Sequence, residues 1–229
     1  MLEKLQSIKH FLKWMFHSFP SRRTFGYCAP NAQVFYPVTI DTPKNIFMYE
    51  NTKIRDGLRI INSPKEKVII KKYTTITPNV TIVTNNHVST VGIPHVLLGS
   101  SHVNDKSADI IIEEDCWVGT GATLLAGAHL GRGCIVGAGA IVSKDIPPYA
   151  LVVGSPAKIV ASKFSIEQIL DHEKTLYPEQ ERFTREYLND LFTKYYEGKK
   201  IYGMSRPLTK EENKTIERVK KRIMFVEPF

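Results

Sequence analysis

Residues 112–147 read IEEDCW-VGTGAT-LLAGAH-LGRGCI-VGAGAI-VSKDIP, six blocks of six. Each block opens on an aliphatic residue: Ile112, Val118, Leu124, Leu130, Val136 and Val142. The fifth place holds Cys116, Ala122, Ala128, Cys134, Ala140 and Ile146, mostly small and apolar. Glycine recurs at the second place, in Gly119, Gly131 and Gly137, and at the fourth, in Gly121, Gly127, Gly133 and Gly139. A period of six is neither a helical stripe nor the alternation of one half-buried strand. It fits short strands bent at regular corners, three blocks to a coil. The coils then stack about 4.8 Å apart through parallel hydrogen bonds. The opening aliphatic points inward onto its counterpart in the next coil, and the fifth place points inward where a small group fits. Cys116 and Cys134, 18 positions apart, are therefore expected to stack as core residues rather than to do chemistry.

Upstream, Ile70, Ile76 and Ile82 open IKKYTT, ITPNVT and IVTNNH, and Ile70 lies 42 positions before Ile112, in the same phase. Val34, Ile40 and Ile46 keep the six-residue step, and Ile54 and Ile60 resume it two positions out of phase. An insertion near Asn62-Ser63-Pro64-Lys65 absorbs another slip. Between Ile82 and Ile112 the repeat stops, and residues 84–108 form a polar loop with glycine and proline turn signals. A loop of that length in a compact domain is functional or disordered. It carries His87, His95 and His102, three of the chain's seven histidines. His87 leaves the last regular block and is the leading catalytic candidate. The spacings of 8 and 7 between these histidines match no short zinc-ligand pair, so no metal is expected.

Composition narrows the class. The 229 residues are 42% hydrophobic and 24% charged, which fits a globular chain with a real core. No apolar run is long enough to span a membrane, and the basic, apolar N-terminus lacks the features of a secretory signal. Three widely spaced cysteines suit a reducing compartment, so a cytoplasmic location is expected. The net charge of +8 lies in the first third, where residues 1–72 hold 13 Lys/Arg against 5 Asp/Glu. With no nucleic-acid reading module, an anionic membrane face, a polyanionic glycan or simple solubility accounts for it.

NNH at 85–87 and the run IIIEEDCWVGTGATLLAGAHLGRGCIVGAGAIVSKDIPPYALVVGSPAKIV at 110–160 resemble the hexapeptide-repeat acetyltransferases. The likeness is greatest to galactoside, maltose and xenobiotic acetyltransferases and to capsular-polysaccharide O-acetyltransferases. It implies a left-handed parallel β-helix, a homotrimer with active sites between subunits, and direct transfer from acetyl-CoA to a sugar hydroxyl of a glycan. His87 matches the general base, and a backbone N–H near Thr120 matches the donor that stabilises the oxyanion. Asn85 and His102 are expected at the acceptor. Trp117 matches a tryptophan lining the groove, with corner packing as the alternative. Gly119, Gly121, Ala126, Gly137 and Ala138 would let the pantetheine approach. Ser143, Lys144 and Lys158 match positions that touch the pantetheine, adenine or phosphates. Lys158 departs from the arginine often found there.

The flanks read as helical, giving an N-terminal segment 1–24, the β-helix 25–160 and a C-terminal extension 161–229. Leu2, Leu5, Leu12, Met15, Phe16 and Phe19 fall broadly on one helical side. That segment is expected to cap the first coil, with peripheral membrane contact as the alternative. Ser165 with Gln168 and Thr209 with Glu212 are capping boxes opening helices at about 166 and 210. Pro178 suits the first turn of a helix between them, with the stripe Phe183, Tyr187, Leu191, Tyr195 packing inward. Three rival functions use the same fold: N-acetylation of an amino sugar, a zinc-dependent carbonic anhydrase, and a non-catalytic scaffold.

Overall fold

The computed structural model describes residues 11–228 apart from 13, 16 and 17. Much of the helix expected over 1–24 lies outside the described residues; 11, 12, 14, 15 and 18 are helical. From Tyr27 onward the chain winds through three sheets. Sheet 1 stacks Tyr27–Cys28, Ile46–Met48, Val68–Ile70, Ile110–Ile112 and His129–Leu130. Sheet 2 stacks Gln33–Val34, Lys53–Ile54, Thr75–Ile76, Trp117–Val118, Ile135–Val136 and Ala150–Val153. Sheet 3 stacks Thr39–Ile40, Arg59–Ile61, Thr81–Val83, Thr123–Leu124 and Ile141–Val142. Neighbours within these stacks run parallel, as the repeat demands.

The inward ladders are the core. In sheet 2, Ile54, Ile76, Val118, Val136 and Val152 lie one above another without exposure. Cys116 and Cys134 sit stacked and buried with their Sγ atoms 3.6 Å apart. Burial first, and then the neighbouring thiol, pushes the Cys116 pKa well up. These thiols are packing groups.

Register locates the slips. Ile111 pairs with His129, 18 positions on, but Tyr27 pairs with Phe47, Ile46 with Val68 and Ile69 with Ile111, at 20, 22 and 42. Every surplus residue lies between a strand of sheet 3 and the next strand of sheet 1, so all three insertions share one edge. The expected ladder position of Ile46 is corrected here: Met48, not Ile46, pairs with Ile70. The two-residue slip falls earlier, at the 3-10 turn Pro43–Asn45, and both Ile46 and Met48 are buried. The 84–108 segment is also more ordered than a loop. It is an antiparallel arm of Asn85–His87 against Asp105–Ser107, joined through helix α1, His95–Ser101.

Past the last coil, Lys158–Ser162 returns antiparallel on Ala150–Val153 and closes that end of sheet 2 with Lys200–Ile201. Helices α2 (Ile166–Leu176), α3 (Arg185–Tyr195) and α4 (Lys210–Arg222) follow, and both capping boxes form. The expected role of Pro178 is corrected: it precedes the 3-10 turn Glu179–Glu181, and α3 is capped by Thr184. The reason is tertiary. Arg182 donates to the Tyr177 carbonyl at 2.7 Å and the Phe183 amide to Glu173 at 2.7 Å, so the chain stays extended there. Helix α3 buries Leu188 and Leu191, and Tyr187 turns outward at 42% exposure.

Two polar clusters weld α2 to the solenoid. Glu173, 1% exposed, accepts from Arg132 Nη1 at 3.2 Å, Tyr149 Oη at 2.9 Å and the Phe183 amide. Asp115 accepts from Lys163 Nζ at 2.6 Å and His172 Nε2 at 3.0 Å. Arg132 keeps Glu114 at 3.3 Å in Glu173→Ala, but the buried Tyr149 hydroxyl loses its acceptor, so the variant should lower stability by about 1–3 kcal/mol, read from the urea midpoint. Burial alone would raise the Asp115 pKa, but the His172 hydrogen bond and the Lys163 charge outweigh it and hold the value below 3.8. A lowered carboxyl contributes stability above its unfolded pKa and loses it as pH falls through the folded value. The wild type should therefore lose more stability than Asp115→Asn as pH falls from about 5 through the folded value, measured as the shift in urea midpoint.

Candidate active site

The insertions on the shared edge build a groove of about 880 Å³, lined among others by Asn62, Lys65, Asn85, His87, His102 and Asp105. Residues 62–65, in the insertion between Arg59–Ile61 and Val68–Ile70, line it, and that insertion is tied to the arm through Glu66. That carboxylate accepts from Ser107 Oγ at 2.6 Å and from the Ser63 hydroxyl. Burial raises the Glu66 pKa, but those two hydroxyls outweigh it and bring it below its ordinary value.

The arm's register sets the chemistry. His87 stands opposite Asp105 in the antiparallel pair, and its Nδ1 lies 2.6 Å from Asp105 Oδ1. His102, at the C-terminus of α1 with φ 55°, places Nδ1 2.9 Å from Asp105 Oδ2. Hydrogen bonds from His87 first and His102 second hold the Asp105 pKa below 3.8. The carboxylate is thus an acceptor for the Nδ1–H of each imidazole, and in the neutral ring the proton-accepting atom is then Nε2. Gly99 of α1 faces the His87 ring: a Cβ there would stand 3.8 Å from Cδ2 and Nε2. His95 lies apart from this cluster, with Nε2 3.1 Å from Ser89 Oγ.

The other expected residues divide between two edges. Ala126 follows the Thr123–Leu124 strand and Ser143 and Lys144 follow Ile141–Val142, so they share the His87 edge one and two coils further on. Trp117, Gly119, Thr120 and Ala138 lie on sheet 2 or on its corner with sheet 3. Lys158 begins the return strand opposite Val153, above that same corner. Trp117 is 51% exposed and fills no corner. A Cβ on Gly119 would come within 2.6 Å of the Ala138 backbone nitrogen, so only glycine permits that approach. Thr120 Oγ1 lies 3.3 Å from Thr77 Oγ1, and its carbonyl accepts from the Gly139 amide at 2.9 Å.

Asp105 escaped the sequence reading. An acid in a polar loop bears no mark, and only its spacing of three from His102 could have drawn notice. The metal alternative can be tested on the same atoms. The ligating atoms of His87, His102 and Asp105 lie within 4.8 Å of one another. The Nδ1···Oδ separations of 2.6 and 2.9 Å are hydrogen-bond lengths, shorter than donors about 2.0–2.2 Å from a tetrahedral zinc would keep between themselves. Among the described residues these three fit a hydrogen-bonded cluster better than a metal cage.

By repeat and by topology this is a hexapeptide-repeat solenoid. Within that class it is similar to hexapeptide-repeat acetyltransferases. Residues 109–144 match the family model for the bacterial transferase hexapeptide (six repeats). The chain is 39% identical to a chloramphenicol acetyltransferase of Escherichia coli over 64 residues, 28% of this chain and 30% of that enzyme. It therefore spans less than a third of that relative's length. A galactoside acetyltransferase solved in complex with coenzyme A superposes with a TM-score of 0.56 at 27% identity, over 80% of this chain and 88% of that one. A maltose O-acetyltransferase from Clostridium difficile 630 gives 0.55 at 26% identity, over 62% of this chain and 71% of that one.

Exhaustive dialysis against a chelator should leave the thermal midpoint of the protein unchanged. A drop of more than about 2 °C, well above scatter for a domain of this size, would return a bound metal to this cluster.

Proposed function

We propose that the protein is an acetyl-CoA-dependent O-acetyltransferase acting on a sugar hydroxyl of a glycan. The observation that carries this is the His87–Asp105 pair, 2.6 Å apart, on the wall of a groove lined by amides, imidazoles and hydroxyls. Such a lining suits a ligand rich in hydroxyl groups. The galactoside and maltose enzymes named above have acceptors of that class in their own names.

His87 acts as general base through Nε2, and Asp105 is a positioning residue that holds the ring and its tautomer. The acceptor hydroxyl gives its proton to His87 as its oxygen attacks the thioester carbonyl. The new C–O bond forms, the C–S bond breaks, and the proton passes from the imidazolium to the departing thiolate. The Thr120 amide is the oxyanion donor. Asn85 and His102 orient the acceptor. Ser143, Lys144 and Lys158 meet the nucleotide end of the donor, and Trp117, Gly119, Ala126 and Ala138 line its path.

Assembly is part of this reading. His87 and Thr120 stand at opposite edges of sheet 3, so one solenoid does not unite them, and a neighbouring copy in a trimer does. We assign the left-handed coil sense that the family resemblance implies, with 1–24 and 161–229 as end pieces around a cytoplasmic enzyme.

Isothermal titration of CoA and acetyl-CoA into wild type and His87→Ala tests the donor. Both proteins should bind, and no binding by wild type overturns the reading. With a sugar acceptor, His87→Ala should lose about 10²–10⁴-fold in kcat while keeping its affinity for acetyl-CoA. Asp105→Asn should lower kcat at nearly unchanged KM, and an equal rise in KM would make Asp105 a binding group instead.

A further inference from the structure

A row of exposed aromatic side chains runs along the foot of the solenoid. Phe11, Trp14 and Phe19 are 59%, 55% and 47% exposed. Their rings follow one another at 5.9 and 6.3 Å, and Phe19 stacks on Tyr36 of the first coil at 5.7 Å. The row is anchored to the solenoid: Tyr36 Oη donates to the Pro20 carbonyl at 2.7 Å and the Val38 amide to the Ser18 carbonyl at 2.9 Å. Leu12 and Phe35 add 42% and 43% exposed apolar surface. Scattered exposed apolar residues need no explanation, but a contiguous group does.

Phe35, next to Tyr36 in the first coil, lines a groove of about 570 Å³. Its walls carry Arg22, Lys53 and Arg222. Among the described residues none of the three makes an ion pair with a carboxylate; Arg22 is instead held by the carbonyls of Ala29 at 2.6 Å and Pro30 at 3.1 Å. Arg55 lies over the Phe35 ring at 5.1 Å. Exposed rings on the first coil thus accompany three cations, Arg22, Lys53 and Arg222, that have no carboxylate partner among the described residues, whereas Arg55 pairs with Asp56 at 3.3 Å. No helix among the described residues is long and apolar enough to cross a membrane.

We infer that this end of the protein docks on an anionic lipid surface. The rings enter the boundary between headgroups and acyl chains, where amphipathic aromatics are favoured, and the cations meet headgroup phosphates. A soluble polyanion would engage the cations and leave the rings in water, so the pairing of the two favours lipid. The inference is independent of the acetyl-transfer reading.

The test is flotation of the full chain with vesicles of phosphatidylcholine, alone or with about 30% phosphatidylglycerol. Wild type should float with the anionic vesicles and at least tenfold less with the neutral ones. Phe11→Ala/Leu12→Ala/Trp14→Ala should lose at least tenfold in bound fraction at unchanged assembly mass and circular dichroism. Lys53→Gln/Arg222→Gln should lose about fivefold per charge removed, and salt at about 0.5 M should do the same to wild type. Wild type left at the bottom of the gradient, or equal binding to neutral vesicles, overturns the inference. So does a changed assembly mass in the triple variant, which would make the row a contact between subunits. Retention on a soluble polyanion without vesicle binding would assign the groove to an acidic polymer and overturn it too.

Discussion

A parallel strand in this solenoid finds its hydrogen-bond partners only one coil away, and its inward side chain must land on another inward side chain there. That double condition governs the molecule. Backbone register and burial are satisfied together when Ile54, Ile76, Val118, Val136 and Val152 form one column. A slip of one residue within a strand would turn an aliphatic group outward and bring an outward residue such as Lys53 or Trp117 in. Chain can therefore be added only at a corner, and only if the phase is restored before the next strand begins.

The insertions obey this rule and all use the same corner. The 3-10 turn Pro43–Asn45, the Asn62–Lys67 segment and the arm carrying His87 follow three successive strands of sheet 3. Each leaves the ladders intact, and stacked together they raise the walls of one groove. The C-terminal helices are held to the other side by buried charge, with Glu173 and Asp115 as acceptors. The rigid part and the variable part of the protein are thus separated by the geometry of the coil itself.

The sequence made the solenoid readable because a small set of inward positions repeats with a fixed step. It failed at Ile46, where two alternating residues, Ile46 and Met48, are both buried and either could carry the phase. It also treated the candidate site residues as one set. Their block positions already held the answer: His87 follows a sheet 3 strand, whereas Trp117 opens a sheet 2 strand, so the two belong to different edges. Asp105 was not readable. Its partnership with His87 depends on antiparallel pairing across a helix-bearing arm, and neither composition nor period encodes that pairing. Thr184 rather than Pro178 starts α3 because Glu173 and Tyr177 hold Arg182 and Phe183 extended, a tertiary demand on a locally acceptable helix start.

Because phase is always restored, separation along the His87 edge is counted in coils and not in residues. The chain from Val83 to Thr123 is more than twice as long as that from Leu124 to Ile141, yet each stretch advances the stack by one step of about 4.8 Å. His87 and the Ser143–Lys144 pair, fixed to strands two steps apart, are therefore set off by roughly 10 Å along the axis. The edge is a ruler with evenly spaced marks. Loops may lengthen or shorten between the marks without altering the scale against which a long, thin ligand is measured.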